Sequence, residues 1–264
     1  MQIQSEISPR ITVILPINKD DGFFYPALDS VLNQTFKDFE LLLIANNCSD
    51  ELWAGILEIS DSRVKPKRLS MGGLAFALNT GISQARGEFI ARMDADDLSL
   101  PNRLQSQLNF MDKSPEVDIL GGRVKFINSK NEVLNEEAPF FEKHAEIISA
   151  LRYRNPMVHP AVFVRRNVLL NSGGYKYGFN GEDYELWIRL MLSGNIFHNL
   201  DEDVLLYRRH ESQMTSEDKS YLIFCDVATL LFMYFLRMKD LRFIVGAFLK
   251  IPLVRRLRKL FMVF

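Results

Sequence analysis

The stretch that most constrains this chain is an apolar run that ends in three carboxylates and passes at once into a helix start. Residues 87–104 read GEFIARMDADDLSLPNRL. Phe89 to Met93 has the composition of a buried strand, and Leu104, Leu108 and Met111 recur at i, i+4 and i+7 after Pro101, a residue suited to a first helical turn. Asp94, Asp96 and Asp97 therefore sit between a strand end and a helix, where open α/β sheets bind ligands. Three acids in four residues repel one another and resist desolvation, so a compensating hard divalent cation with oxygen ligands is the natural inference. The competing reading is a solvated loop in which Asp97 or Ser99 caps the next helix.

The residues before this block alternate strand-like and helical patterns, which predicts an α/β layer structure with a mostly parallel central sheet. Ile11 to Leu15 reads as a first strand, Leu28, Val31 and Leu32 as a helical stripe after Pro26, and Phe39 to Ile44 as a second strand. Leu74, Leu78 and Ile82 predict a helix leading into Phe89. Later candidates are strands at Val117 to Leu120, Val124 to Ile127, Ala161 to Val164 and Val204 to Leu206. A helix whose stripe is Leu186, Trp187, Leu190 and Met191 ends near Gly194. No G-x-G-x-x-G follows the first strand and no phosphate-binding Gly-Lys-Ser/Thr loop occurs, which argues against dinucleotide dehydrogenases and P-loop enzymes.

At 264 residues with 47% hydrophobic and 25% charged residues, the chain can bury one substantial core. A formal net charge of −1 gives no basic field for nucleic acid. Cys48 and Cys225 stand far apart, so neither a disulfide scaffold nor a thiolate zinc site is expected, and a cytoplasmic location is the simplest reading. Met1 to Arg10 lacks the apolar core of a secretory signal. The uncharged run Val227 to Leu236 is well short of the roughly 18–20 residues that cross a bilayer.

Outside the acidic block, Glu182 and Asp183 open a helix, where carboxylates either cap free N–H groups or stand as a rigidly held general base at a cleft. His210, in Tyr207-Arg208-Arg209-His210, is either an ordinary histidine or an imidazole that completes a manganese-like coordination shell with the three acids. His159, in Asn155-Pro156-Met157-Val158-His159-Pro160, reads as structural or acceptor-side rather than metal-binding.

Taken in order, Ile11 to Pro16, Ser30 to Phe36, Gly73-Leu74 with Leu78 to Ile82, the 87–104 block, Gly173-Gly174-Tyr175, Gly181 to Trp187 and Tyr207 to His210 resemble the family 2 glycosyltransferases of the GT-A fold, over roughly residues 10 to 215. The resemblance implies a nucleotide-sugar donor, commonly a UDP-sugar, with Pro16, Asn18 and Asp94 near the nucleotide. It implies an Mn2+ or Mg2+ ion on Asp96 with help from Asp94 or Asp97 and with His210 joining the metal site, and Asp183 as catalytic base, with Glu182 beside it as a further candidate. Two positions depart from the family pattern. Ala45-Asn46-Asn47-Cys48 replaces the acidic loop that contacts the base, and Asn18 stands where a tyrosine is usual. The expected activity is inverting, non-processive transfer to a glycan or lipid-linked acceptor in surface polysaccharide or lipopolysaccharide synthesis. The Gln-x-x-Arg-Trp word of processive synthases is absent. A nucleotidyltransferase, or a nucleotide-binding scaffold without turnover, is the alternative.

Residues 1–215 are read as the catalytic domain and 216–264 as a basic amphipathic helical extension. From Arg237 to Phe264 there are eight Lys or Arg against one acid, and Leu257, Leu260, Phe261 and Phe264 recur at helical spacing among Arg256, Arg258 and Lys259. That pattern suits a helix lying on an anionic membrane face, peripheral at the inner side of the cytoplasmic membrane, or one packed on protein.

Overall fold

A computed structural model of the protein describes residues 8–176, 180–210, 220–251 and 254. The Leu257–Phe264 pattern lies outside the described residues. In chain order the first half runs β1 (Ile11–Ile17), α1 (Phe24–Leu32), β2 (Phe39–Asn46), α2 (Asp50–Leu57), β3 (Val64–Leu69), α3 (Leu74–Gln84), β4 (Phe89–Arg92), β5 (Leu98–Ser99) and α4 (Arg103–Lys113). The second half runs β6 (Ile119–Ile127), α5 (His144–Ala150), β7 (Phe163–Arg165), α6 (Arg166–Asn171), α7 (Glu182–Leu192), β8 (Phe197–Arg208), α8 (Ser220–Met238) and α9 (Leu241–Lys250).

The eight strands form one sheet in the order β3-β2-β1-β4-β7-β6-β8-β5. The first four are parallel, as the alternating pattern requires. β7 is antiparallel to both neighbours, and β6 and β8 run parallel to each other. Two reversals restore direction, so β1, β2, β4, β6 and β8 all end at the same edge of the sheet, and the His159–Ala161 turn before β7 lies there too. The short strand β5 is antiparallel to β8.

Both faces of the sheet are covered at its centre, which is why β1, β2 and β4 are buried without alternation. Ile11, Val13, Leu15, Leu41 and Leu43 point to one layer with Leu28, Val31, Leu104, Leu108 and Met111. Ile14, Leu42, Ile44 and Ile90 point to the other, with Leu78, Ile82, Leu186, Trp187 and Leu190. Val227, Leu230, Leu231 and Tyr234 of α8, and Phe243 and Ala247 of α9, join that second layer. Among the described residues, no helix is long and apolar enough to cross a membrane.

Several local expectations change in physical detail. The two strands expected at 117–120 and 124–127 are one strand, because Gly121 and Gly122 remove the side chains that would collide with Asn199 and Val204 of β8. The neighbouring register shifts at Gly122/Arg123 and Arg123/Val124 absorb a bulge. The helix after the acidic block starts at Arg103, beyond Pro101, and neither Asp97 nor Ser99 caps it. The cap comes from a distant side chain: Gln34 Oε1 accepts from Leu104 N at 3.0 Å.

Gln34 is fully buried and uses its whole amide. Its Nε2 donates to Ser30 O at 3.0 Å, Ser99 Oγ at 3.1 Å and Leu100 O at 2.7 Å, tying the end of α1 to β5 and α4. Replacing it with leucine removes these three donated bonds and leaves the buried Leu104 N–H without its Gln34 partner. Gln34→Leu is expected to lose about 2–3 kcal/mol of stability, read as a lower urea midpoint at unchanged slope. Wild-type stability in that variant would remove Gln34 from this role.

Candidate functional site

The acidic cluster is built by β4, which delivers Arg92 to the crevice edge and turns into the 94–97 loop. One ligand oxygen from each of Asp94, Asp96 and Asp97 lies within 4.8 Å of the others. Their charge is offset mainly by buried arginines. Arg92 is 4% exposed and ion-paired with Asp94. Arg208, 1% exposed at the end of β8, donates from Nε to Asp96 O at 2.7 Å and from its backbone N to Asp97 Oδ1 at 2.8 Å. Its Nη1 donates to Asn128 O at 3.0 Å and Asn131 Oδ1 at 2.7 Å, and its guanidinium lies 4.4 Å from the Phe23 ring centre. Below the loop, buried Arg103 donates from Nη2 to Arg92 O at 2.8 Å and from Nε to Gln107 Oε1 at 3.1 Å.

Even with these arginines nearby, Asp94 and Asp97 are strained as anions. Burial, with repulsion from Asp96 and Glu182, raises Asp94 to about 6 against the pull of Arg92. Asp97 is held well above the usual carboxylate range by burial and by its two acidic neighbours. Its Oδ2 is buried without a hydrogen-bond partner. His210 reaches the cluster from past the end of β8, its Nε2 at 2.9 Å from Asp96 Oδ2 and its ring 5.0 Å from Phe23. Three mutually repelling carboxylates, one oxygen lacking a partner and an adjoining imidazole fit a hard divalent cation.

Asp183 stands in the first turn of α7. Asn155 Nδ2 donates to its Oδ2 at 2.6 Å, and Tyr184 N donates to its Oδ1 at 2.8 Å. Asn155 is itself oriented by Met157 N, which donates to Asn155 Oδ1 at 3.1 Å. Burial first, then the adjacent Glu182 charge, raises Asp183 to about 7, while the two hydrogen bonds and Arg92 oppose the rise. The Arg92 charge opposes the rise at both Asp94 and Asp183. Glu182 Oε2 accepts from Gly181 N at 3.1 Å, so both carboxylates bond backbone N–H groups at the helix start.

A family model described as "Glycosyl transferase family 2" matches residues 12–173. The chain belongs to glycosyl transferase family 2. It is 35% identical over 241 residues to the O-antigen biosynthesis glycosyltransferase WbnJ of Escherichia coli, covering 89% of this chain and 92% of that protein. It is 28% identical over 201 residues to an E. coli UDP-Gal:alpha-D-GlcNAc-diphosphoundecaprenol beta-1,3-galactosyltransferase, covering 72% and 70%. Among solved structures, S. aureus TarS in complex with UDP-GlcNAc superposes with a TM-score of 0.65 at 19% identity, covering 84% of this chain and 66% of that one. The mannosyltransferase PcManGT from Pyrobaculum calidifontis, in complex with GDP-Man and Mn2+, gives 0.62 at 15% identity, covering 92% and 69%. The fold is therefore GT-A. Family membership makes the chain a glycosyltransferase and selects that activity over nucleotidyl transfer and over binding without turnover.

The rest of this family 2 site follows the strand ends. Pro16 is buried near the end of β1 and Asn18 is exposed just beyond it. Met93 N donates to Ile14 O at 3.0 Å, so Asp94 emerges beside that strand end. His159 lies apart from the three-acid ligand set, with Nε2 2.8 Å from Tyr175 Oη and its ring edge-on to Trp187. Burial and the Arg92 charge lower its basicity well below the usual value and keep it neutral. Sequence reasoning passed over Arg92, Arg103, Asn155 and Arg208, whose contacts span up to 112 positions. It treated Asn46 only as part of a departure, yet Asn46 ends β2 at the crevice edge with a buried Oδ1 that lacks a partner.

A cation that binds only the folded protein stabilises it by mass action. Mn2+ at a hundred times its Kd is expected to add about 2.7 kcal/mol, seen as a higher Tm, and Asp96→Ala is expected to abolish the rise. A Tm indifferent to both Mn2+ and Mg2+ would argue against the cation site.

Proposed function

We propose that this glycosyltransferase is inverting and non-processive, and moves a sugar from a nucleotide-diphosphate donor, a UDP-sugar, to a hydroxyl of a lipid-linked glycan acceptor during O-antigen or related surface-polysaccharide assembly. The donor and acceptor classes are supported by the names of the E. coli relatives. The observation that carries the mechanism is Asp183, held by Asn155 and Tyr184 N in the first turn of α7, together with the three-carboxylate cluster that follows β4.

In this reading Asp183 takes the proton of the acceptor hydroxyl as its oxygen attacks the anomeric carbon. The bond from that carbon to the donor diphosphate breaks on the opposite face, so configuration inverts and a nucleoside diphosphate leaves. Mn2+ or Mg2+, held by Asp96 with Asp94 and His210, would supply positive charge against the departing diphosphate. Asp97, anchored through Arg208 N, shapes the loop, and Pro16, Asn18 and Asp94 line the nucleotide side. Within the Ala45–Cys48 loop that replaces the family's acidic base-contacting loop, Asn46 offers a buried amide oxygen without a partner. A lipid-linked acceptor is embedded in a bilayer, so the reaction is expected at the inner face of the cytoplasmic membrane. Residues 1–215 are taken as the catalytic unit and 216–264 as the extension that faces that membrane.

Asp183→Asn is expected to lower kcat by about 10²–10⁴ while leaving calorimetric binding of a UDP-sugar with Mn2+ nearly unchanged. Full release of UDP by that variant in the presence of acceptor would sink the assignment. Because the base works only when ionised and Asp183 titrates at about 7, kcat/KM should rise with pH through about 7 and level off above it. Asn155→Ala removes a hydrogen bond that favours the ionised form, so the rise should move to higher pH. An unmoved profile would free Asn155 from that role.

A further inference from the structure

We propose that the outer face of the α8–α9 hairpin docks on an anionic lipid bilayer. A surface helix ordinarily presents one apolar stripe to the core and polar groups to water, whereas apolar residues all round indicate a second apolar environment. The inner side of this hairpin is used by the core through Leu230, Leu231, Tyr234, Phe243 and Ala247. Its other side exposes Phe232 at 45%, Met233 at 43% and Leu236 at 60% on α8, and Leu241 at 67%, Val245 at 48% and Phe248 at 60% on α9. These positions follow i, i+1, i+4 and i, i+4, i+7, so each helix contributes one stripe. Exposed apolar surface concentrated in this way marks an interaction site.

Charge selects the occupant. Arg237, Lys239, Arg242 and Lys250 border the apolar stripes, and the one acid among them, Asp240, is engaged by Arg152 at 2.9 Å and Arg242 at 2.7 Å. The chain continues into Arg255, Arg256, Arg258 and Lys259. Pairing this face with a second copy across a two-fold axis would bring like charges together, whereas an anionic headgroup layer neutralises them. Because the inner face is committed to the core, the hairpin lies on the bilayer rather than spanning it.

The hairpin is also fixed to the catalytic body, so docking sets the orientation of the crevice. Gly246 lets α9 touch the backbone at Arg152 and Tyr153, where any side chain would collide. Tyr234 Oη donates to Glu185 Oε1 at 3.1 Å, on the helix whose first turn holds Asp183. The inference deepens the membrane-facing reading above by naming the surface that meets lipid, and its test needs no sugar transfer.

The test is flotation of the full chain with phosphatidylglycerol–phosphatidylcholine vesicles and with pure phosphatidylcholine vesicles. Wild-type protein is expected to float with the anionic vesicles, more weakly as salt rises. The triple variant Phe232→Glu, Leu236→Glu, Phe248→Glu should partition about tenfold or more weakly while keeping its Tm and its UDP-sugar binding. If that variant proves unstable, Arg237→Gln with Lys239→Gln should retain the fold and lose most of the preference for anionic lipid. Equal flotation of wild type and variants would overturn the proposal. So would a wild type that ignores vesicles and is a dimer converted to monomer by the triple variant.

Discussion

Three carboxylates crowded at the end of one strand form the constraint on which the rest of the architecture depends. Isolated, the Asp94–Asp97 loop would repel itself into solvent. It stays because Arg92, Arg103 and Arg208 approach from three parts of the chain and supply both charge and donors to the loop or the strand beneath it. Buried guanidinium groups of this kind are costly unless bonded, so each has recruited its own partners: Gln107 for Arg103, and Asn128 and Asn131 for Arg208. What remains unbalanced is visible in the raised affinity of Asp94 and Asp97 for protons and in the unpartnered Asp97 Oδ2. That residual demand for positive charge is what the proposed divalent cation would meet.

The sheet topology serves the same edge. A wholly parallel continuation would not have brought the 159–161 turn to the crevice. The antiparallel β7 does so, and β6 and β8 then resume the original direction, so Arg208 and His210 arrive beside residues more than a hundred positions earlier. Gly121 and Gly122 permit β8 to lie close enough to β6 for that delivery. The fold therefore gathers the three acids, His210 and their arginine partners along one line of strand ends.

Much of this was legible in the residues. The first strands follow from short continuous apolar runs and the helices from period-3.6 patterns, and the acid triplet raised the expectation of a cation because crowded like charges call for compensation. Asp183 and His210 were nameable from short words shared with a family, their neighbours less so. Asn155, Gln34 and the three arginines carry no periodic signal, since a single long-range hydrogen bond leaves no trace in local sequence. The same blindness made Pro101 look like a helix start and split β6 at its glycines: local patterns report propensity, while the ends of elements are set by what packs against them.

By itself, then, the sequence determined the α/β layering, the acidic strand end and the presence of a cationic, apolar C-terminal stretch, because each is encoded in consecutive residues. Only the tertiary structure decided that Gln34 caps α4, that Arg92 acts on both Asp94 and Asp183, that His210 meets Asp96, and which side of α8 and α9 is left in contact with solvent. Those are relations between distant segments. Their energies depend on burial and on distances of a few ångströms that exist only once the chain has folded.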